Sequence, residues 1–144
     1  MDIKMLKEEN KIFKNLYNNH GWELEKAIHA YESYLNQHPK DYFAQELLAT
    51  AYAQSGETNI ALERFLALYA QHPDRYSLLN HIALCYKAKQ EYTTAQNYLE
   101  KLLSIHPMPV AYNNLATIFL QQNKPLLARV NLLKAVSILP HYAD

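Results

Sequence analysis

The chain has 144 residues, 49% of them hydrophobic, which supplies apolar surface for a packed core and argues against disorder. Its 14 Lys and Arg balance 14 Asp and Glu, so no net charge marks it for nucleic acid or an anionic membrane. One cysteine, Cys85, excludes an internal disulfide, and the two glycines are a poor supply for a β-rich domain or a phosphate loop.

The first ten residues are charged throughout and lack the apolar core of a signal peptide. No stretch approaches the roughly 18 apolar residues of a membrane span. The expectation is a cytoplasmic protein without membrane insertion.

A fixed interval runs through the chain. Pro39, Pro73, Pro107 and Pro140 stand 34, 34 and 33 residues apart. Ala27, Ala61, Ala95 and Ala128 keep the same beat, each followed four residues later by Tyr31, Phe65, Leu99 or Leu132. Tyr17, Tyr52, Tyr86 and Phe119 precede those alanines by nine or ten. Four markers in phase over four cycles divide the chain into units at about 7–41, 42–75, 76–108 and 109–142.

In chain order, the first unit is the most irregular. Lys14 takes a position that is small elsewhere, and the turn from Asn18 to Trp22 is one residue longer. In the second, Leu47, Leu48, Ala51 and Tyr52 form the apolar stripe of one helix, and Ala61, Leu62, Phe65, Leu68 and Tyr69 that of the next. Gly56 stands between them, where a helix end calls for a left-handed residue. The third unit has Gln90 at that turn, a departure that costs stability. The fourth has Asn123, which tolerates the conformation, and Pro125 opens the following helix. Each spaced proline then closes the second helix of its unit, because it lacks the amide proton and pushes its predecessor out of the helical region.

This pattern resembles the tetratricopeptide repeat. The residues that carry the resemblance are Leu48, Ala49, Tyr52, Gly56, Ala61, Phe65 and Pro73 in the second unit. In the third they are Ile82, Ala83, Tyr86, Ala95, Leu99 and Pro107, and in the fourth the run Ala111 to Phe119. The resemblance implies an all-α, right-handed superhelical solenoid of about four helix-turn-helix repeats. It also implies a concave groove lined by the first helix of each repeat.

By position in the repeat, the groove residues are Lys11, Asn15 and Asn18 in unit 1 and Glu46, Thr50 and Gln54 in unit 2. In unit 3 they are Asn80, His81 and Lys87, and in unit 4 Asn113, Asn114, Thr117 and Gln121. This strip is polar and rich in asparagine, whose amide both donates and accepts and can hold the backbone of an extended peptide. The expected function is a scaffold or adaptor that binds a protein or peptide, with no catalysis and no cofactor. Two alternatives are a small chaperone for secreted or assembling proteins and the recognition domain of a larger enzyme. Whether the reading frame continues past Asp144 separates the last of these from the rest.

Some members of the family clamp a chaperone's C-terminal carboxylate with Lys and Asn. Lys11 and Asn15 fit the first pair, but Leu47, Ser77 and His81 stand where the remaining amide and cations belong, so no such binding is expected. His38, His72 and His106 each precede a spaced proline; their 34-residue spacing keeps them in separate turns, and no metal site is expected.

The last helix, from about Pro125, is unusual. Ala128, Leu132, Ala135 and Val136 are expected to face the core, yet Leu126, Leu127, Val130 and Leu133 fall where unit 3 has Thr93, Thr94, Asn97 and Glu100. A helix that is apolar nearly all round is normally covered. These four residues are therefore expected to meet a second copy, a further domain or the partner.

Overall fold

The computed structural model describes residues 22–138; Lys11, Asn15, Asn18 and the first helix of unit 1 lie outside the described residues. Among those described there are seven α-helices and no strand. They are α1 (Trp22–Gln37), α2 (Tyr42–Gln54), α3 (Thr58–Gln71), α4 (Leu78–Ala88), α5 (Tyr92–Ile105), α6 (Pro109–Gln121) and α7 (Pro125–Ile138). The chain forms two compact units, Met1–Arg64 and Phe65–Asp144, the division falling within α3.

The turn inside each helical pair is built the same way from different residues. Gly56, Gln90 and Asn123 all have positive φ, at 88°, 63° and 61°. In each case the next residue's amide reaches back five residues to an aromatic carbonyl: Glu57 to Tyr52 at 2.9 Å, Glu91 to Tyr86 at 2.9 Å and Lys124 to Phe119 at 2.8 Å. The left-handed residue's own amide donates three residues back, to Ala53, Lys87 and Leu120. These are the paired bonds of the Schellman motif, which satisfy carbonyls that the helix end leaves over.

Between pairs, helices α1, α3 and α5 end two residues before Pro39, Pro73 and Pro107. The amides of His38, His72 and His106 close the last turn on Tyr34, Leu68 and Leu102 at 3.0, 2.8 and 2.8 Å. His106 then lies in extended conformation, as the residue before a proline prefers. At the start of α2, Asp41 accepts from the Ala44 amide at 3.2 Å and from the Tyr34 hydroxyl at 2.7 Å, tying the end of α1 to the helix that follows.

In the first unit, Ala27 and Tyr31 of α1 pack on Leu48 and Ala51 of α2. In the second, the core joins Leu79 and Ala83 of α4, Ala95, Leu99 and Leu102 of α5, Leu115, Ile118 and Phe119 of α6, and Ala128 of α7. Each fully buried leucine or isoleucine contributes roughly 1.5–3 kcal/mol by leaving water. Beside the core, successive pairs treat the aromatic at the end of their first helix differently. Arg64 lies over Tyr52 at 5.2 Å, Tyr98 stacks on Tyr86 at 5.5 Å, and the corresponding place in α7 is held by Asn131.

Three assignments to the core are corrected. Leu47 is exposed, and the buried set of α2 is Ala44, Leu48, Ala49 and Ala51. Leu132 and Val136, expected inside, are 40% and 62% exposed, and α7 buries Ala128, Asn131 and Ala135 instead. The reason is positional. Leu99 and Leu103, their counterparts in α5, pack into the core that α6 completes. Among the described residues no helix follows α7 to do the same for Leu132 and Val136. Asn131 holds its buried amide by donating to the Leu127 carbonyl at 2.8 Å.

Candidate interaction surface

In the second unit, α4 and α6 touch, and the groove positions of both fall on adjoining turns. The Asn114 Nδ2 donates to Asn80 Oδ1 at 2.8 Å, a bond between side chains 34 residues apart. It uses one donor and one acceptor of the pair. Asn80 Nδ2 and Asn114 Oδ1 take no part in it, so the pair still carries one donor and one acceptor. The structure thus brings together two residues singled out from their place in the repeat.

The other groove positions behave differently from one another. His81 is half-buried and stacks flat on Phe65, with ring centroids 4.9 Å apart and planes 5° from parallel. Its ring face is therefore occupied by the core. Thr117 turns its hydroxyl onto its own helix, donating to the Asn113 carbonyl at 3.0 Å, and Thr50 does the same to Glu46 at 2.9 Å. Both hydroxyls offer a ligand only acceptor capacity. Asn113 and Gln121 are exposed.

Lys87 and Gln121 line an open pocket of ≈ 280 Å³ with Leu84, Ala88, Gln90 and Tyr92. It lies where α4 and α6 end, so two sets of terminal carbonyls partly offset the Lys87 charge. A neutral polar group suits it better than an isolated ion.

In each unit, apolar groups that the repeat pattern alone did not assign to the groove stand beside its groove positions. Val110 and Leu120 are exposed at opposite ends of α6, three turns apart and on the side of Asn113 and Thr117. On α2, Phe43 is 65% exposed and Leu47 lies one turn on, beside Glu46, Thr50 and Gln54. The signal was present as four-residue spacings, Phe43–Leu47 and Thr50–Gln54, that share a face.

The first unit also holds an open pocket of ≈ 420 Å³ lined by Glu32, Leu35, Asn36, Pro39, Gln45, Leu48 and Arg64, none of them a groove position. Nearby, the Tyr52 hydroxyl donates to Glu32. That bond and burial push the Tyr52 phenol above its ordinary range. Cys85 is buried, and desolvation pushes its thiol up to about 11, which suits a core residue and not a nucleophile. Among the described residues no three of His, Cys, Asp and Glu converge as metal ligands, and no helix is long and apolar enough to cross a membrane.

The last helix presents a second surface. Leu126 is 78% exposed and Leu133 60%, and Leu127, Val130, Leu132, Val136 and Ile138 are exposed with them. All four outward residues expected from the sequence lie on it.

Comparison with known proteins matches residues 76–107, which are α4, its turn and α5, to the tetratricopeptide repeat family. No curated protein matches the chain. Among solved structures, MamA residues 41 to the end from Desulfovibrio magneticus RS-1 are 14% identical, with a TM-score of 0.71 over 81% of this chain and 66% of that one. A further MamA crystal structure is 19% identical, with a TM-score of 0.73 over 99% of this chain and 77% of its own. A tetratricopeptide repeat protein from Parabacteroides merdae ATCC 43184 is 18% identical, with a TM-score of 0.68 over 92% of this chain and 54% of its own. The chain spans about two thirds of the Desulfovibrio structure and about half of the Parabacteroides one. With the left-handed turns in phase and these shared folds, the chain is an all-α helical-repeat solenoid, and its residues 76–107 match the tetratricopeptide repeat.

Proposed function

We propose that the chain is a protein-interaction module that holds an extended segment of a partner protein or peptide along α4 and α6, with no catalytic chemistry and no cofactor. The observation that carries the reading is the Asn80–Asn114 pair, whose bond leaves one amide donor and one amide acceptor over, on a surface where Val110 and Leu120 are exposed. A peptide bond presents the complementary pair, so recognition would fall on the partner's backbone and leave its side chains to the apolar rim. Asn113, Thr117, Gln121 and Lys87 extend that face, and Glu46, Thr50 and Gln54 with Phe43 and Leu47 give α2 a face of similar mixture in the other unit. Lys11, Asn15 and Asn18 belong to the same proposal from the repeat register alone.

The test is affinity capture from native lysate with the wild-type chain beside an Asn80→Ala, Asn114→Ala variant, followed by titration of whatever differs. At about 1 kcal/mol per hydrogen bond, loss of two should weaken the captured partner by roughly tenfold to thirtyfold. A partner held equally by both proteins would remove this face from consideration.

A further inference from the structure

The outward side of α7 is independent of the Asn80–Asn114 face and has its own chemistry. Leu126, Val130 and Leu133 follow one another at spacings of four and three, the stripe by which one helix packs along another. Leu127 widens it on one flank and Leu132 and Val136 on the other. Leu126 and Leu133 are 78% and 60% exposed and Val130 46%, a run of neighbouring apolar side chains of the kind that marks an interaction surface.

Charge and register narrow the occupant. The helix contains Arg129 and Lys134 and no acidic residue, one cation on each side of the stripe. Lys134 lies 5.9 Å from the Tyr112 ring centroid, at the α6 edge, and Arg129 is exposed on the edge shared with Leu132 and Val136. That edge corresponds to the side of α5 on which α6 packs. A second α7 would bring its own cations against these, whereas a helix with acidic flanks would pair with them.

We infer that α7 docks an amphipathic helix of a partner, with leucine-like residues along its contact stripe and Asp or Glu on the flanks, laid against α7 much as α6 lies against α5. Two designed, fluorescently labelled helical peptides test it. They share one leucine stripe and carry either Glu or Lys on the flanks. The full chain is compared with Arg129→Gln and with a variant bearing the α5 residues at the outward positions, Leu126→Thr, Leu127→Thr, Val130→Asn and Leu133→Glu. All of these side chains are exposed, so the variants should fold, and circular dichroism checks that they do.

The expected result is binding of the Glu-flanked peptide at least tenfold tighter than the Lys-flanked one. The preference should shrink several-fold in Arg129→Gln and with added salt, and binding should be lost in the fourfold variant. Equal binding of both peptides, or binding that survives the fourfold variant, overturns the inference. So does no binding, or a wild-type chain that sediments at twice its 16.8 kDa mass with this face closed by a second copy.

Discussion

Helices α5 and α7 hold the same place in successive helical pairs, 33 residues apart, and their two sides follow opposite rules. Inward, α5 buries Ala95, Leu99 and Leu102, whereas α7 buries Ala128, Asn131 and Ala135. Outward, α5 shows Thr93, Thr94, Asn97 and Glu100 where α7 shows Leu126, Leu127, Val130 and Leu133. Large apolar side chains thus point into the core of α5 and away from the core of α7. A repeat defines positions, and the residues placed there decide whether a helix closes the stack or waits for something to cover it.

The sharpest way to break this comparison is truncation at matched positions. Leu99→Ala should destabilise the chain by about 2–5 kcal/mol, because it empties a fully buried site. Leu132→Ala, at a site 40% exposed, should cost less than about 1 kcal/mol. Urea unfolding monitored by circular dichroism measures both, and equal losses would mean that Leu132 is covered in solution.

Cys85 gives a second reading of the same contrast. Its thiol, raised by burial from 9.0 to about 11, should hold about a hundredfold less thiolate near pH 8 than an ordinary cysteine. Alkylation of the folded chain should be slow in proportion and should rise with pH until about 11. Leu99→Ala should speed it by loosening the core around α4 and α5, and Leu132→Ala should leave it unchanged.

The turns supply a smaller difference. Gln90→Gly relieves a left-handed residue that carries a side chain and should stabilise by about 1 kcal/mol, while Asn123→Gly should gain only a few tenths, since asparagine accepts that conformation more readily. Gains of the same size would place the strain in the hydrogen-bond geometry and not in the residue. The fourfold exchange on α7 changes positions that are exposed, so each substitution should cost no more than about 0.5 kcal/mol and the four together no more than about 2 kcal/mol in urea unfolding.

Much of this architecture was legible because its causes are local. Positive φ at Gly56, Gln90 and Asn123, helix ends ahead of Pro39, Pro73 and Pro107 and the burial of Ala61, Phe65, Ala95 and Leu99 follow from residue type and interval. Burial that depends on a neighbour was not legible in the same way. Leu47, Leu132 and Val136 sit at spacings that read as core, yet what covers such a position is the next helix, and that lies elsewhere in the chain. The Asn80–Asn114 bond escapes the interval for a related reason. From Ala83 and Ala116 the counterpart of Asn80 is Asn113, and the side chain that reaches it is one residue further on. Neighbouring helices are offset as they pack, and a count along the chain does not contain that offset.

The small inward anchors of α7 also bear on its motion. Ala128, Asn131 and Ala135 withdraw less side-chain surface than Ala95, Leu99 and Leu102 do in α5, and what opposes the lifting of α7 includes the exposure of the α6 residues in its cluster, Leu115, Ile118 and Phe119. Its amides should accordingly exchange with deuterium sooner than those of α5. A helix docked on the outward side of α7 would press it from the far side, and protection would then grow at the amides facing α6, which the docked helix never touches.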